Sequence, residues 1–445
     1  MNVSGSDKPR ASEQKWWQRP GIGISYTVEY LPGWSWNRNF KKYNKSLMNA
    51  NGGLKFEGPY CKVGQFVDLT QEVEADYHML YAKWHDGICF FNTELTNWKT
   101  PEDYMAGFSR LSKERGIPFM IYYSSIFDHN PQFDHIQPIT WCTFSYLQHP
   151  VYLRYLEGQY RELIQQYEPD GLWLDWYKEN NATTMTSIDF IHKNYPKVVL
   201  GLNNSSKSKS AAKTLHYTTE EIHTLLNPMS GVDGYVKSKV LAKIGTFLYN
   251  LVDDSGWSRA NHSRRNFQHP WSAITPVGKG WQGPALRPDT NDLPRIAAMI
   301  MGCGGRNTMQ VNIKMDGYVF EDHVRQMRIV GDWYQPRKHL FQDATPLRYN
   351  GDSAPGISGL PQGYKTIASQ YGDDVLIHII KVEGSEIPSE ILISEHEWTG
   401  IKDIYLEPDH QSVPMEKQGD SIILHLEADQ IDPVDTILRL GIIHD

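Results

Sequence analysis

The 445-residue sequence has no apolar run approaching the roughly 18 residues that a bilayer-spanning helix requires, so nothing in it reads as a membrane span. Cysteine is scarce: Cys61, Cys89, Cys142 and Cys303 stand far apart with no CxxC, so a zinc site is not expected and any disulfide is optional. Positive charge is short as well, 44 Lys and Arg against 52 Asp and Glu, and no basic stripe suits a phosphate backbone. Nucleic acid is therefore not an expected partner. The start, MNVSGSDKPRASEQ, lacks the apolar core of a secretion signal. A periplasmic or extracellular location is expected only if such a segment has been lost from it.

Aromatic residues are plentiful instead. They make up 12% of the chain, with 14 Trp and 25 Tyr, enough to fill cores and still leave rings for stacking on sugars. The length calls for a large domain of about 300 residues plus a smaller one. Residues 1–15 are polar and aperiodic and read as a disordered N-terminal segment.

From Gly21 onward, short apolar runs alternate with amphipathic stretches. The runs are Gly21-Ile-Gly-Ile-Ser, His78-Met-Leu-Tyr-Ala-Lys, Pro118-Phe-Met-Ile-Tyr-Tyr, Gly171-Leu-Trp-Leu-Asp and Val198-Val-Leu-Gly-Leu. Such runs suit parallel strands covered on both faces. Helices are expected over Pro101–Arg115, Tyr152–Tyr167 and Glu321–Tyr334. The fold class is α/β, a (β/α)8-like barrel over residues 16–344. The stretch 205–290, rich in Ser, Lys, Gly and Pro, reads as long functional loops. Beyond it, alternating strands separated by turns predict an appended β-sandwich over 345–445.

The sharpest local feature is Pro169-Asp-Gly-Leu-Trp-Leu-Asp175-Trp, a hydrophobic strand that ends in a carboxylate between two tryptophans. Barrel enzymes carry their chemistry at such strand ends, and a carboxylate there costs desolvation energy unless it is paired or used. A structural salt bridge or loop cap is the plain alternative. Ala82-Lys-Trp-His-Asp-Gly and Tyr122-Tyr-Ser follow two earlier strands, so three clusters converge on one expected pocket.

These residues resemble glycoside hydrolase family 29, the α-L-fucosidases. Tyr81-Ala-Lys-Trp-His-Asp-Gly with Asn92-Thr-Glu-Leu-Thr-Asn-Trp is similar to that family's AKHHDGF and DSxxTxW, and Tyr122-Tyr-Ser to its YYS. Gln159-Tyr-Arg-Glu-Leu and Asp170-Gly-Leu-Trp-Leu-Asp resemble QLREL and LWFD. Gly304-Gly-Arg-Asn-Thr-Met-Gln-Val-Asn is similar to GGNLLLN, and Gly331-Asp-Trp-Tyr to GxWL. The matches run in order from about residue 17 to 340.

The resemblance implies a retaining, exo-acting hydrolase that removes terminal α-L-fucose from an oligosaccharide or glycoconjugate, with no metal and no organic cofactor. Asp175 is then the nucleophile. The acid/base falls on Glu220, with Glu221 as alternative, in Tyr217-Thr-Thr-Glu-Glu. Substrate contacts are expected from His85, Trp84, Tyr123, Trp173, Trp36 and Trp281.

Several positions depart from the family. Its first strand carries a histidine that contacts the sugar, where this chain has Ser25. Its paired histidines appear as Trp84-His85, its GEWY as Gly33-Trp-Ser-Trp, and its Asn-Arg as Asn203-Asn204. Losing such donors shifts which sugar is accepted. Another terminal α-sugar is therefore a second expectation: α-L-galactose, an anhydrogalactose or a sulfated sugar, with Lys207, Lys209, Arg259, Arg264 and Arg265 available to an anion. A catalytically dead carbohydrate-binding protein is a third.

Overall fold

The computed structural model describes residues 15–28, 44–125, 128–133, 150–175, 182–202, 217–218, 271–278, 284–347, 353–382, 384, 388 and 390–443. The expected N-terminal segment thus lies almost wholly outside the described residues.

Among the described residues, eight parallel strands form one curled sheet. They are β1 (Gly21–Thr27), β2 (Tyr77–Lys83), β3 (Phe119–Ser124), β4 (Gly171–Asp175), β5 (Val199–Leu202), β6 (Tyr217–Thr218), β7 (Trp271–Pro276) and β8 (Arg306–Asn312). Their order is β5-β4-β3-β2-β1-β8-β7-β6. Strand β1 pairs with both β2 and β8, which joins the first strand to the last and curls the sheet in the manner of a barrel, with β5 and β6 at its two ends. Strand β7 lies within the 205–290 stretch that composition assigns to loops. Its Trp-Ser-Ala-Ile-Thr-Pro is fully buried in the sheet, and the neighbouring Gly/Pro-rich loop masks that signal.

Both faces of these strands are covered, so the sequence runs are apolar rather than alternating. On β2, Tyr77 faces the lumen, where its hydroxyl meets that of Thr308 on β8. His78 points the other way, toward Thr70 Oγ1 (3.0 Å) and Ser112 Oγ (2.7 Å) on the covering helices. The Arg306 guanidinium lies 5.7 Å from the Trp16 ring and 5.8 Å from Tyr77, packed beneath the lumen at the N-terminal ends of the strands.

The helices are α1 (Val63–Glu72), α2 (Tyr104–Arg115), α3 (Pro150–Tyr167), α4 (Ala182–Asn194), α5 (Asp292–Gly302), α6 (Glu321–Tyr334) and α7 (Lys338–Gln342). Helix α2 starts three residues after Pro101, because the Asp103 carboxylate accepts from Ala106 N (3.0 Å) and fixes the N-cap there. It ends at Gly116 in the left-handed region.

The C-terminal strands are β9 (Thr345–Pro346), β10 (Ile357–Ser358), β11 (Tyr364–Tyr371), β12 (Asp374–Lys381), β13 (Glu390–Ser394), β14 (Ile401–Glu407), β15 (Gln411–Ser412), β16 (Glu416–Gln418), β17 (Ser421–His425) and β18 (Asp435–Ile442). They make two antiparallel sheets, β15-β14-β18-β12-β11-β9 and β10-β13-β17-β16. Between the sheets lies a core that includes Ile377, Ile379, Ile391, Ile393 and Leu424.

The sandwich is bolted to the barrel. Arg295 on α5 donates to Pro433 O (2.9 and 2.8 Å), and Arg337 pairs with Asp432 (2.6 Å). Phe341 on α7 stacks on His378, itself paired with Asp435 (2.8 Å).

Candidate active site

Strand β4 ends in the catalytic candidate. Asp175 is 7% exposed, and its Oδ2 accepts a hydrogen bond from the Tyr122 hydroxyl of β3. The parallel register sets Ser124 beside Asp175 and Tyr122 beside Trp173, which fixes this reach. Ser125 then donates to the Asp175 backbone carbonyl (3.1 Å). Below the carboxylate, three rings form a column across the strands. Tyr81 stacks on Tyr122 at 3.5 Å between centroids, and Tyr122 on Trp173 at 5.3 Å. The column ends against Gly201 of β5, where a Cβ would collide with the Trp173 indole.

His85, in the loop after β2, brings Nε2 to 3.5 Å from Asp175 Oδ2 and Nδ1 to 2.6 Å from Ser124 Oγ. The Trp84 ring stacks on it at 5.2 Å. Burial holds the His85 imidazole well below its ordinary pKa, and positive charge at His129 and Lys83 adds to this, so it works as a neutral partner near pH 7.

A buried ion pair supports this loop from behind. The register shifts between Tyr81 and Lys83, which swings Lys83 off the lumen onto the Tyr123 ring (4.2 Å) and into Asp128 (2.5 Å), with both side chains at zero exposure. His129 N then donates to His85 O (2.9 Å). Gly87, at φ +78°, sits so close to Asp128 and Asn130 that any side chain would clash. Asp86 is pushed up to about 7, chiefly by burial and further by the Asp128 charge, against the opposing Ile88 amide.

The structure therefore brings together Asp175, His85, Trp84 and Trp173. Tyr123 is a correction: its hydroxyl donates to Gln159 on α3 and its ring meets Tyr160, on the face of β3 turned away from Asp175. Tyr122 takes the inward position. Sequence reasoning missed it because Tyr-Tyr-Ser offers two phenols, and only the pairing register tells which one faces the lumen. It also missed Ser124, Ser125 and the Lys83–Asp128 pair. Trp36, Glu220, Glu221 and Trp281 lie outside the described residues, as do the departures at 33–36 and 203–205 and the basic residues of 207–265.

A buried carboxylate, held by a phenol at the C-terminal end of a barrel strand, is equipped to attack an electrophilic carbon or to stabilise a cationic one. A family model described as Alpha-L-fucosidase matches residues 27–338. The chain belongs to the α-L-fucosidase family. It is accordingly a glycoside hydrolase by family.

Solved α-L-fucosidases have the same architecture. The Thermotoga maritima α-fucosidase in complex with fucose aligns at TM-score 0.64 and 14% identity, covering 96% of each chain. The α-L-fucosidase isoenzyme 1 of Paenibacillus thiaminolyticus aligns at 0.64 and 16%, covering 98% of this chain and 100% of that one. The α-L-fucosidase of Vibrio sp. strain EJY3 aligns at 0.63 and 15%, covering 96% and 72%. At such identities the likeness speaks for the fold. No curated protein sequence matches the chain.

Proposed function

We propose that the protein is a retaining, exo-acting α-L-fucosidase with Asp175 as nucleophile. The observation that carries this reading is the Asp175 carboxylate at the end of β4, bound by Tyr122 and approached by His85. Asp175 attacks the anomeric carbon, the glycosidic C–O bond breaks, and the leaving oxygen takes a proton from the second carboxyl. Water then attacks the anomeric carbon of the glycosyl-enzyme, gives its proton back to that carboxyl, and frees Asp175. Glu220, or Glu221, is the second carboxyl in this proposal, on the sequence resemblance alone.

The test is release of 4-nitrophenol from its α-L-fucoside, with Asp175→Asn as control. The expected result is rapid release by the native chain and a loss of about 10⁴-fold or more in the variant. Full activity in the variant removes Asp175 from the role.

Ser25 favours a second reading. Tyr26 points outward to Phe66 O, so Ser25 faces the lumen, where the family has a sugar-contacting histidine. Silence on the fucoside with release from the α-L-galactoside would establish the altered sugar.

A further inference from the structure

Away from Asp175, among the described residues, a cavity of about 550 Å³ opens between two loops of the same barrel face. Leu54 and Phe56 come from the β1–α1 connection, and Asn92, Asn97, Lys99 and Asp103 from the β2–α2 connection. Both connections leave the C-terminal strand ends, the face on which Asp175 stands. The loops are also tied to the site. Trp98 Nε1 (3.2 Å) and Asn44 Nδ2 (3.0 Å) both donate to Asp86 O, next to His85.

The lining has an apolar side and a polar side. On the apolar side, Leu54 and the half-buried Phe56 line the cavity, and Phe56 stands edge-on to Phe90 (6.1 Å) and to Tyr60 (5.4 Å), which is 42% exposed. Opposite, Lys99 Nζ donates to Asn92 Oδ1 (2.8 Å) and Thr93 O (2.6 Å), which pins an ammonium at the wall with one N–H remaining. Asp103 is committed to Ala106 N and to the Tyr167 hydroxyl (2.9 Å). Asn97 is exposed, and its amide makes no hydrogen bond among the described residues.

We propose that this cavity is an accessory sugar site that takes a neutral pyranose unit from the leaving-group side of the substrate. The inference rests on the glycosidase reading and adds to it a place on the protein where a sugar unit other than the one cleaved is held. Apolar carbon at Phe56 and Leu54 suits the C–H face of a pyranose, and amides with one fixed ammonium suit its hydroxyls. The volume lies within the roughly 300–1,000 Å³ of small-ligand sites. Lys99 and Asp103 offset each other in charge and are both bonded within the protein, so the occupant is neutral.

The test compares 4-nitrophenyl α-L-fucoside with a short fucosylated oligosaccharide, using Asn97→Trp to fill the cavity and Tyr60→Ala to remove the ring that supports Phe56. Both sites are exposed, so folding is retained. The expected result is kcat/KM on the aryl fucoside within about twofold of native and a fall of about tenfold on the oligosaccharide. Equal effects on both substrates, or none, overturn the site.

A second arm needs no turnover. The defucosylated oligosaccharide should bind the full-length Asp175→Asn protein in affinity electrophoresis, bind the Asn97→Trp form about fivefold more weakly, and do so unchanged at about 0.5 M NaCl. This arm still reports when the fucoside is not cleaved, so a failed fucosidase reading and a failed sugar site give different results. Binding that collapses with salt overturns the neutral class.

Discussion

Tyr122 and Asp175 share a hydrogen bond that only the donor's hydroxyl can make, so Tyr122→Phe separates chemistry from packing. The ring column with Tyr81 and Trp173 stays intact, and kcat on the aryl glycoside should fall about 10- to 100-fold with Tm little changed. The place of Asp175 at a strand end was legible in the sequence, because a hydrophobic run stops there at a carboxylate. Tyr122 was not, since choosing between adjacent tyrosines requires the β3–β4 register. Asp86 gives a prediction in pH. Burial raises it from 3.8 to about 7, so the folded chain keeps a proton that the unfolded chain releases near its ordinary pKa. Its contribution to stability is full below about pH 4 and is lost as pH climbs to about 7. Asp86→Asn should flatten that part of the profile, read as urea midpoints at about pH 4.5 and 7.5. An unchanged slope would mean that Asp86 does not bind the proton.

Between elements, the Lys83–Asp128 pair joins the end of β2 to the loop after β3 and so holds His85 against Asp175. A buried pair broken on one side leaves an unpaired charge, so Lys83→Met should cost about 3–5 kcal/mol of stability. Lys83→Met with Asp128→Leu should recover much of that loss, as urea unfolding will measure. This device was hidden in the sequence. Lysine 83 lies in a run that looks apolar and Asp128 in a loop some 45 positions on, and the register shift that turns Lys83 outward leaves no compositional trace. Helix α2 was legible apart from its start, because Asp103 is a better cap than the preceding proline is a first turn.

Across the whole molecule, barrel and sandwich meet through Arg295, Arg337 and the Phe341–His378 stack. Arg295 is 6% exposed and also pairs with Asp289 (2.5 Å). Native unfolding is expected as one calorimetric transition, and Arg295→Ala should loosen the contact enough to separate two. The appended sandwich was readable from its alternating strands and turns. The later half of the curled sheet was less readable, because β7 sits inside Gly- and Pro-rich surroundings. Lys83 has a further consequence for the folded chain in solution. With zero exposure and its ammonium under two tyrosine rings, it is shielded from acylating reagents that modify surface amines within minutes. Its acetylation, followed peptide by peptide in a mass spectrometer, becomes a clock for how often the catalytic barrel breathes open.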